Sequence, residues 1–247
     1  MKIVADTHTH TIASTHAYGT VKEMVEEAAA LGLYAIAITD HGPNMPGSPR
    51  QWYFNNLNAI PSTYLGVRVL KGAEANIADF DGNLDIDEPT LKSLEWIVAS
   101  IHDPTLDTSI IQPDFETCTA LYLNAAENPY INVIGHCGTP RYKFDYEEVI
   151  PVLAEKGKLI EINDSAFKRQ KNSIPNCVQI AKICKKVGAS IVVNTDAHFM
   201  TELGRFDGTL RMLEEIQFPE ELVVNSSIER FEKYLREHNL PLRKLWT

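Results

Sequence analysis

Met1-Lys2-Ile3-Val4-Ala5-Asp6-Thr7-His8-Thr9-His10 opens the chain, and the reading of this stretch decides the fold. A short β-branched run leads straight into Asp6-x-His8-x-His10. Alternate residues of a strand point to one side, so the spacing predicts that Asp6, His8 and His10 share a face. Two imidazoles so placed can hold one metal ion. Similar apolar runs follow at Tyr34–Asp40, Val67–Ala75, Trp96–His102, Ile131–His136, Lys158–Asn163 and Ser190–Asp196, with the first strand placed at Lys2–Asp6. Most are nearly continuous, as strands buried on both faces are. Leu222–Asn225 is a weaker eighth candidate.

Helical patterns lie between these runs. Thr20-x-x-Glu23 is a capping box ahead of Val21, Met24, Val25, Ala28 and Leu31, and Gly32 closes that helix. Asp145 with Glu148 opens a second helix, closed by Gly157. A third runs from about Pro175 to Val187 and stops at Gly188, and Ser226 with Glu229 opens a last one over Ile228–His238. Strand–helix alternation favours parallel strands joined by right-handed crossovers. No repeat, linker or low-complexity tract divides the chain, so residues 1–247 are expected to form a single domain, an α/β barrel. An open doubly wound sheet is the alternative, but no Gly-rich phosphate loop follows the first strand.

Composition narrows the function. The formal net charge is −10 and there is no basic tail, which argues against a surface for long nucleic acid. A small anionic substrate stays open, because bound cations dominate the local charge of a site. No stretch reaches the roughly 18 apolar residues of a membrane span, and the start lacks a secretory signal. The expectation is a cytoplasmic protein with no membrane partner. Cys118, Cys137, Cys177 and Cys184 form no C-x-x-C pair, and disulfides are not expected in a reducing compartment.

The chemistry-bearing residues fall where strands end. Beyond His8, His10 and the following loop residue His16, the strand ends are Thr39-Asp40-His41-Gly42, Gly72-Ala73-Glu74-Ala75-Asn76, Ile101-His102-Asp103, Gly135-His136-Cys137 and Asp196-Ala197-His198. That end of a parallel barrel is where active sites are built. Histidine nitrogens with a few carboxylate oxygens suit zinc, manganese or iron. Nine candidate ligands are too many for one tetrahedral ion and point to two or three metals, with Glu74 as a candidate bridge. Singly, each residue has a plainer reading: His16 or His41 as a turn residue, Glu74 as half of an ion pair, His102 or His136 as a core histidine. Those readings would all have to hold at once, at corresponding positions of separate strands. Asp40 and Asp103 are expected to orient neighbouring ligands, Cys137 to pack, and His238 to be a solvated surface residue.

Together these motifs resemble the PHP family, named for polymerase and histidinol phosphatase, and most closely its YcdX-type branch of bacterial phosphatases. The runs Ala13-Ser14-Thr15-His16-Ala17-Tyr18, Ala37-Ile38-Thr39-Asp40-His41-Gly42-Pro43 and Gly72-Ala73-Glu74-Ala75-Asn76-Ile77 carry the likeness, with Asp81-Gly82 and Glu161-Ile162-Asn163. The resemblance implies a distorted, TIM-like (β/α)7 barrel with three divalent metal ions, zinc foremost and manganese or iron also fitting. It implies that His8, His10, Glu74 and Asp196 hold one ion, that Glu74 bridges to a second held by His102 and His136, and that His16, His41 and His198 hold the third. Two departures stand out: Cys137 replaces a usual proline, and Asp103 a glutamate.

The expected activity is hydrolysis of phosphate monoesters by a metal-bound hydroxide, with no separate general acid assigned. Arg141, Lys143, Lys168, Arg169 and Arg205 follow strand ends as cations; Arg141, Lys168, Arg169 and Arg205 are the candidate substrate contacts. The native substrate, the preference for monoester or diester and any homo-oligomer stay open. Two rivals remain. An amidohydrolase acting on C–N bonds also starts with a His-x-His strand, but often bridges its metals with a modified lysine, and no lysine ends the fourth strand here. A non-catalytic metal-binding module, of the kind attached to some polymerases, would bind ions without turnover.

Overall fold

The computed structural model describes residues 1–106 and 113–238. Its strands are β1 (Ala5–Thr9), β2 (Ala35–Ile38), β3 (Thr63–Tyr64), β4 (Val67–Asn76), β5 (Trp96–Ser100), β6 (Val133–Ile134), β7 (Leu159–Asn163) and β8 (Ile191–Asn194). Seven run parallel in the order β1-β2-β4-β5-β6-β7-β8, and the short β3 pairs antiparallel with β4. This is the expected barrel, nearly closed. Its seam between β8 and β1 is tied by side chains. Asn225 Oδ1 accepts the Val193 amide at 3.1 Å, while its Nδ2 donates to Ala5 O at 2.8 Å and Val193 O at 2.6 Å. Nearer the carboxyl ends, Asn194 Oδ1 accepts the Thr7 amide at 2.9 Å.

Apolar side chains from the strand starts, among them Ala5, Leu70, Trp96, Val98 and Val192, fill the amino end of the barrel. The helix Ile228–His238 closes that end with Phe231, Tyr234 and Leu235. The Trp96 ring lies 5.8 Å from both Phe231 and Tyr234. With the amino end packed shut, the polar residues of the same strands are left for the carboxyl end.

Local signals explain the helix ends. Thr20 makes a full capping box with Glu23 ahead of Val21–Ala30. Asp145 accepts the amides of Glu147 and Glu148 ahead of Tyr146–Glu155. Ile174–Val187 stops at Gly188, whose φ of 75° is left-handed backbone that glycine adopts without a Cβ clash.

Four details differ from the sequence reading. The first strand begins at Ala5 rather than Lys2, because its ladder to β2 starts with Ala5 opposite Ala35. The doubtful eighth strand at Leu222–Asn225 is 3-10 turns, leaving one bridge between Ile191 and Val223. The last helix is capped by Ser227, whose hydroxyl accepts the Arg230 amide at 3.1 Å, not by Ser226. His238 is not simply solvated: its ring stacks on Tyr234 at 4.1 Å, and a Cβ on Gly157 would meet its Nε2 at 2.5 Å. Helices at Gln51–Asn55, Glu88–Ser93, Phe115–Ala126, Ser165–Lys168 and Asp207–Glu215 also follow the strands. All four cysteines are free and buried, and no helix among the described residues is long and apolar enough to cross a membrane.

Candidate metal centre

The carboxyl ends of β1, β2, β4, β5, β6 and β8 each deliver polar side chains to one place. The structure brings together His8, His10, His16, His41, Glu74, His102, His136, Asp196 and His198. Four overlapping groups of donor atoms converge: His8 with His10 and Asp196, His8 with Glu74 and His136, His41 with Glu74 and His102, and His10 with His41 and His198. His16 joins from the loop after β1, its Nε2 lying 3.2 Å from His41 Nε2 and its ring 4.6 Å from that of His198. Glu74 sits in the middle and is wholly buried. Its Oε1 lies 2.8 Å from His136 Nε2, 3.3 Å from His8 Nε2 and 3.4 Å from His102 Nε2. Its Oε2 lies 2.6 Å from His41 Nδ1 and 3.5 Å from His10 Nε2.

Two of these positions depend on unusual backbone. His136 has φ 26° and Asp196 φ 55°, in the left-handed region that non-glycine residues seldom occupy. Such strain is retained where surrounding contacts over-determine it, often at functional sites. Asp6, by contrast, turns away from the cluster. The β1–β2 register shifts between Asp6 and Thr9, which breaks strict alternation. Its carboxylate accepts the Thr195 hydroxyl at 2.6 Å and the amides of Thr195 and Gly204 at 3.2 and 3.3 Å.

Burial and neighbouring charge set the protonation of the site. Desolvation holds His10 well below the usual imidazole range, aided by His41. It also lowers His16 and His102. For His8 burial opposes protonation, but Glu161, Glu74 and Asp196 together raise it well above that range. Burial would lift the Glu74 carboxyl, yet His8, His102 and His41 hold it well below its ordinary value, and His8, His10 and His198 do the same for Asp196. Asp6 is pushed up to about 6 by burial. For His136 too burial opposes protonation, but its contact with Glu74 raises it. The centre therefore keeps two ionised carboxylates beside neutral imidazoles at His10, His16 and His102, a donor set suited to borderline divalent cations.

The fit is visible in single atoms. His8 Nε2, His10 Nε2, His41 Nδ1 and Glu74 Oε2 are buried, and none has a hydrogen-bond partner. Buried polar atoms are ordinarily satisfied. Four unsatisfied buried polar atoms converging on one space are the arrangement that ions would complete.

Around the cluster lies a cavity of about 350 Å³ whose wall includes Met45, Arg169, Gln170 and the rim histidines. Arg169 is braced by Glu202 Oε1 at 2.7 Å and the Asp196 carbonyl at 3.0 Å. The other expected substrate contacts are engaged elsewhere. Arg141 pairs with Asp103 at 3.1 Å, Lys168 with Asp164 at 3.0 Å, and Arg205 Nε reaches Thr201 O at 3.4 Å. Sequence reasoning passed over Ser14 and Tyr53. Asp40 accepts from both, at 2.7 and 2.5 Å, and Ser14 Oγ lies 3.4 Å from His10 Nδ1. The Ala13–Tyr18 run beside His16 was the signal for Ser14; nothing in the sequence marked Tyr53.

Comparison with known proteins gives a consistent picture. The PHP domain profile matches residues 6–165. A "probable phosphatase" of Acetivibrio thermocellus is 45% identical over 244 residues, covering 99% of this chain and 100% of the relative. A "probable phosphatase" of Clostridium novyi is 42% identical over 237 residues, covering 96% of each. The histidinol phosphate phosphatase of Lactococcus lactis, solved with zinc, L-histidinol and phosphate, has a TM-score of 0.60 at 18% identity over 89% of this chain and 95% of that one. At that identity the likeness speaks to fold alone.

Proposed function

Because the chain belongs to the PHP domain family, we propose that it is a metal-dependent phosphatase acting on small phosphate monoesters. The observation that carries this reading is the set of orphaned atoms His8 Nε2, His10 Nε2, His41 Nδ1 and Glu74 Oε2, buried where nine candidate ligands meet. His8, His10, Glu74 and Asp196 would hold one ion; Glu74, His102 and His136 a second; His16, His41 and His198 a third. Zinc is the first choice, with manganese and iron compatible with the same donors; the Lactococcus lactis neighbour was solved with zinc. When bound, the ions supply Lewis acidity, acidifying water and offsetting charge on phosphoryl oxygens.

This chain's own residues do the rest. The ionised carboxylates of Glu74 and Asp196 anchor the centre, and the neutral imidazoles add donors without further negative charge. With three divalent ions bound, their charge would exceed that of the two carboxylates, so the site would attract a phosphate despite the acidic chain. Arg169, fixed by Glu202 and the Asp196 carbonyl, presents a guanidinium on the cavity wall to a substrate oxygen. A larger leaving group would reach Arg141, Lys168 or Arg205 only in competition with their present partners. Asp196 and His198 lie beyond the matched span of the family profile, yet they close the same cluster, so residues 1–247 are read as one catalytic unit. The test is a panel of phosphate monoesters, phosphodiesters and a cyclic amide, run on metal-loaded protein. Turnover confined to phosphate esters supports the reading; turnover of the amide, or of nothing at full metal loading, removes it.

A further inference from the structure

Strand β7 contributes no atom to the four converging donor groups, yet Glu161 on that strand lies inside the barrel and is 2% exposed. Its carboxylate is surrounded by donors. Oε1 accepts from His8 Nδ1 at 2.8 Å and from Asn194 Nδ2 at 2.8 Å. Oε2 accepts from the His136 backbone amide at 2.8 Å and from Asn163 Nδ2 at 3.2 Å. Neither amide side chain can turn round. Asn194 Oδ1 is taken by the amide and hydroxyl of Thr7 at 2.9 and 2.8 Å, and Asn163 Oδ1 by the Ser165 amide at 2.8 Å. The His136 contact is a backbone N–H. The network thus assigns a hydrogen to His8 Nδ1. Nε2 is left as the atom that faces Glu74 Oε1 at 3.3 Å and Asp196 Oδ1 at 3.7 Å.

We propose that Glu161 is a positioning residue of the metal centre, one carboxylate that sets the tautomer and ring direction of His8 and pins the left-handed turn at His136. It ties ligands from β1 and β6 into one register from a third strand. The proposal rests on the metal-centre reading above. Ligating histidines commonly donate their second ring nitrogen to a carboxylate, which fixes the ring and strengthens the ligand. Here the same carboxylate also anchors a second ligand through its backbone. The four-donor shell makes the role specific to a carboxylate. Glutamine has one acceptor oxygen and one donor amide, so whichever way it turns, N–H groups oppose N–H groups. With its amide toward His8, the ring would have to carry its hydrogen on Nε2, inside the ligand cluster. With its amide toward His136, the backbone donor would lose its acceptor.

The experiment compares the full native chain with Glu161→Gln, each stripped and reloaded with zinc alone. It reads ions per chain by elemental analysis, affinity by competition with a chromophoric chelator, and fold by circular dichroism. The expected result is a native-like spectrum with at least one zinc held about 10- to 100-fold more weakly in the variant, the range for loss of such a partner. Nitrogen-15 NMR of the zinc-loaded native protein should show His8 protonated on Nδ1, a signature that a merely structural role would not require. Equal zinc content and affinity in the variant would overturn the proposal, and so would a native His8 protonated on Nε2. If the variant does not fold, the tautomer measurement alone decides. Native protein that binds no zinc would instead bring down the metal-centre reading, and this inference with it.

Discussion

His41 Nδ1 and Glu74 Oε2 lie 2.6 Å apart, and neither atom has a hydrogen-bond partner. Two buried polar atoms this close without a hydrogen bond are placed as they would be to share a cation. Glu74 occupies that position for five histidines at once.

Glu74→Gln keeps the volume and removes the charge. The variant should hold at least one ion fewer per chain and lose at least about 100-fold in kcat/KM, the scale on which loss of one preorganised electrostatic contact is felt. Elemental analysis and phosphatase kinetics on the same sample check this. Native metal content in the variant would contradict it.

Arg169 and Arg141 separate a cavity contact from a surface cation. Both side chains are partly exposed and paired, Arg169 at 42% with Glu202 and Arg141 at 55% with Asp103, but of the two only Arg169 lines the cavity. Arg169→Ala should lower kcat/KM by about 10- to 100-fold, as loss of a hydrogen bond to a charged group does, mainly through KM. Arg141→Ala should change it by less than about twofold, in keeping with an exposed site. Steady-state kinetics on both variants, with equal losses as the contrary outcome, decide the assignment.

The seam of the barrel offers a stability test. Asn225 is fully buried and makes three bonds across β1 and β8. Asn225→Ala leaves those backbone groups unsatisfied and should cost about 2–3 kcal/mol. For a chain of this length that corresponds to roughly 5–10 °C in Tm. A calorimetric shift under about 1 °C would mean that other contacts close the barrel.

Lys158 gives the molecule a pH signature away from the metal centre. Burial lowers its ammonium to about 8, and its Nζ donates to Asn128 O at 2.6 Å and Ile131 O at 2.9 Å. The folded pKa is below the unfolded one, so between about pH 8 and 10 the unfolded chain binds more protons and Lys158's contribution to stability rises with pH. The gain across that window is on the order of 3 kcal/mol. Below pH 8 both states are charged and the contribution is flat. Native protein should therefore gain Tm relative to Lys158→Met from pH 7.5 to 9.5; parallel curves would contradict the assignment.

Much of this was legible in the sequence because the relevant signals are local. The run Ala37-Ile38-Thr39-Asp40-His41-Gly42 states both a buried strand and the polar residues at its end, and the nine residues named from the family resemblance lie together at the carboxyl ends of the strands. What was not legible depends on contacts distant in the chain. Asp6 reads as sharing a face with His8 and His10, but beside the register shift against β2 it is turned toward Thr195 and Gly204. Asn225 looks like the end of a strand, and only the neighbouring β1 and β8 make it the seam. The helix Phe115–Ala126 buries Cys118, Leu121, Tyr122 and Ala125 at helical spacing, but apolar Phe115, Ala120 and Leu123 lie outside that stripe and blur it in the sequence. Arg169 was indistinguishable from Arg141 until Glu202 and Asp103 showed where each is held.

The most direct test of the central claim is phosphatase activity followed against metal ions bound per chain, as stripped protein is titrated with zinc, manganese or ferrous iron. The account predicts negligible hydrolysis of 4-nitrophenyl phosphate without ions, a rise that saturates as the sites fill toward three per chain, and loss on chelation. Hydrolysis that persists in thoroughly stripped protein, or none at any loading with any of these ions, would contradict it.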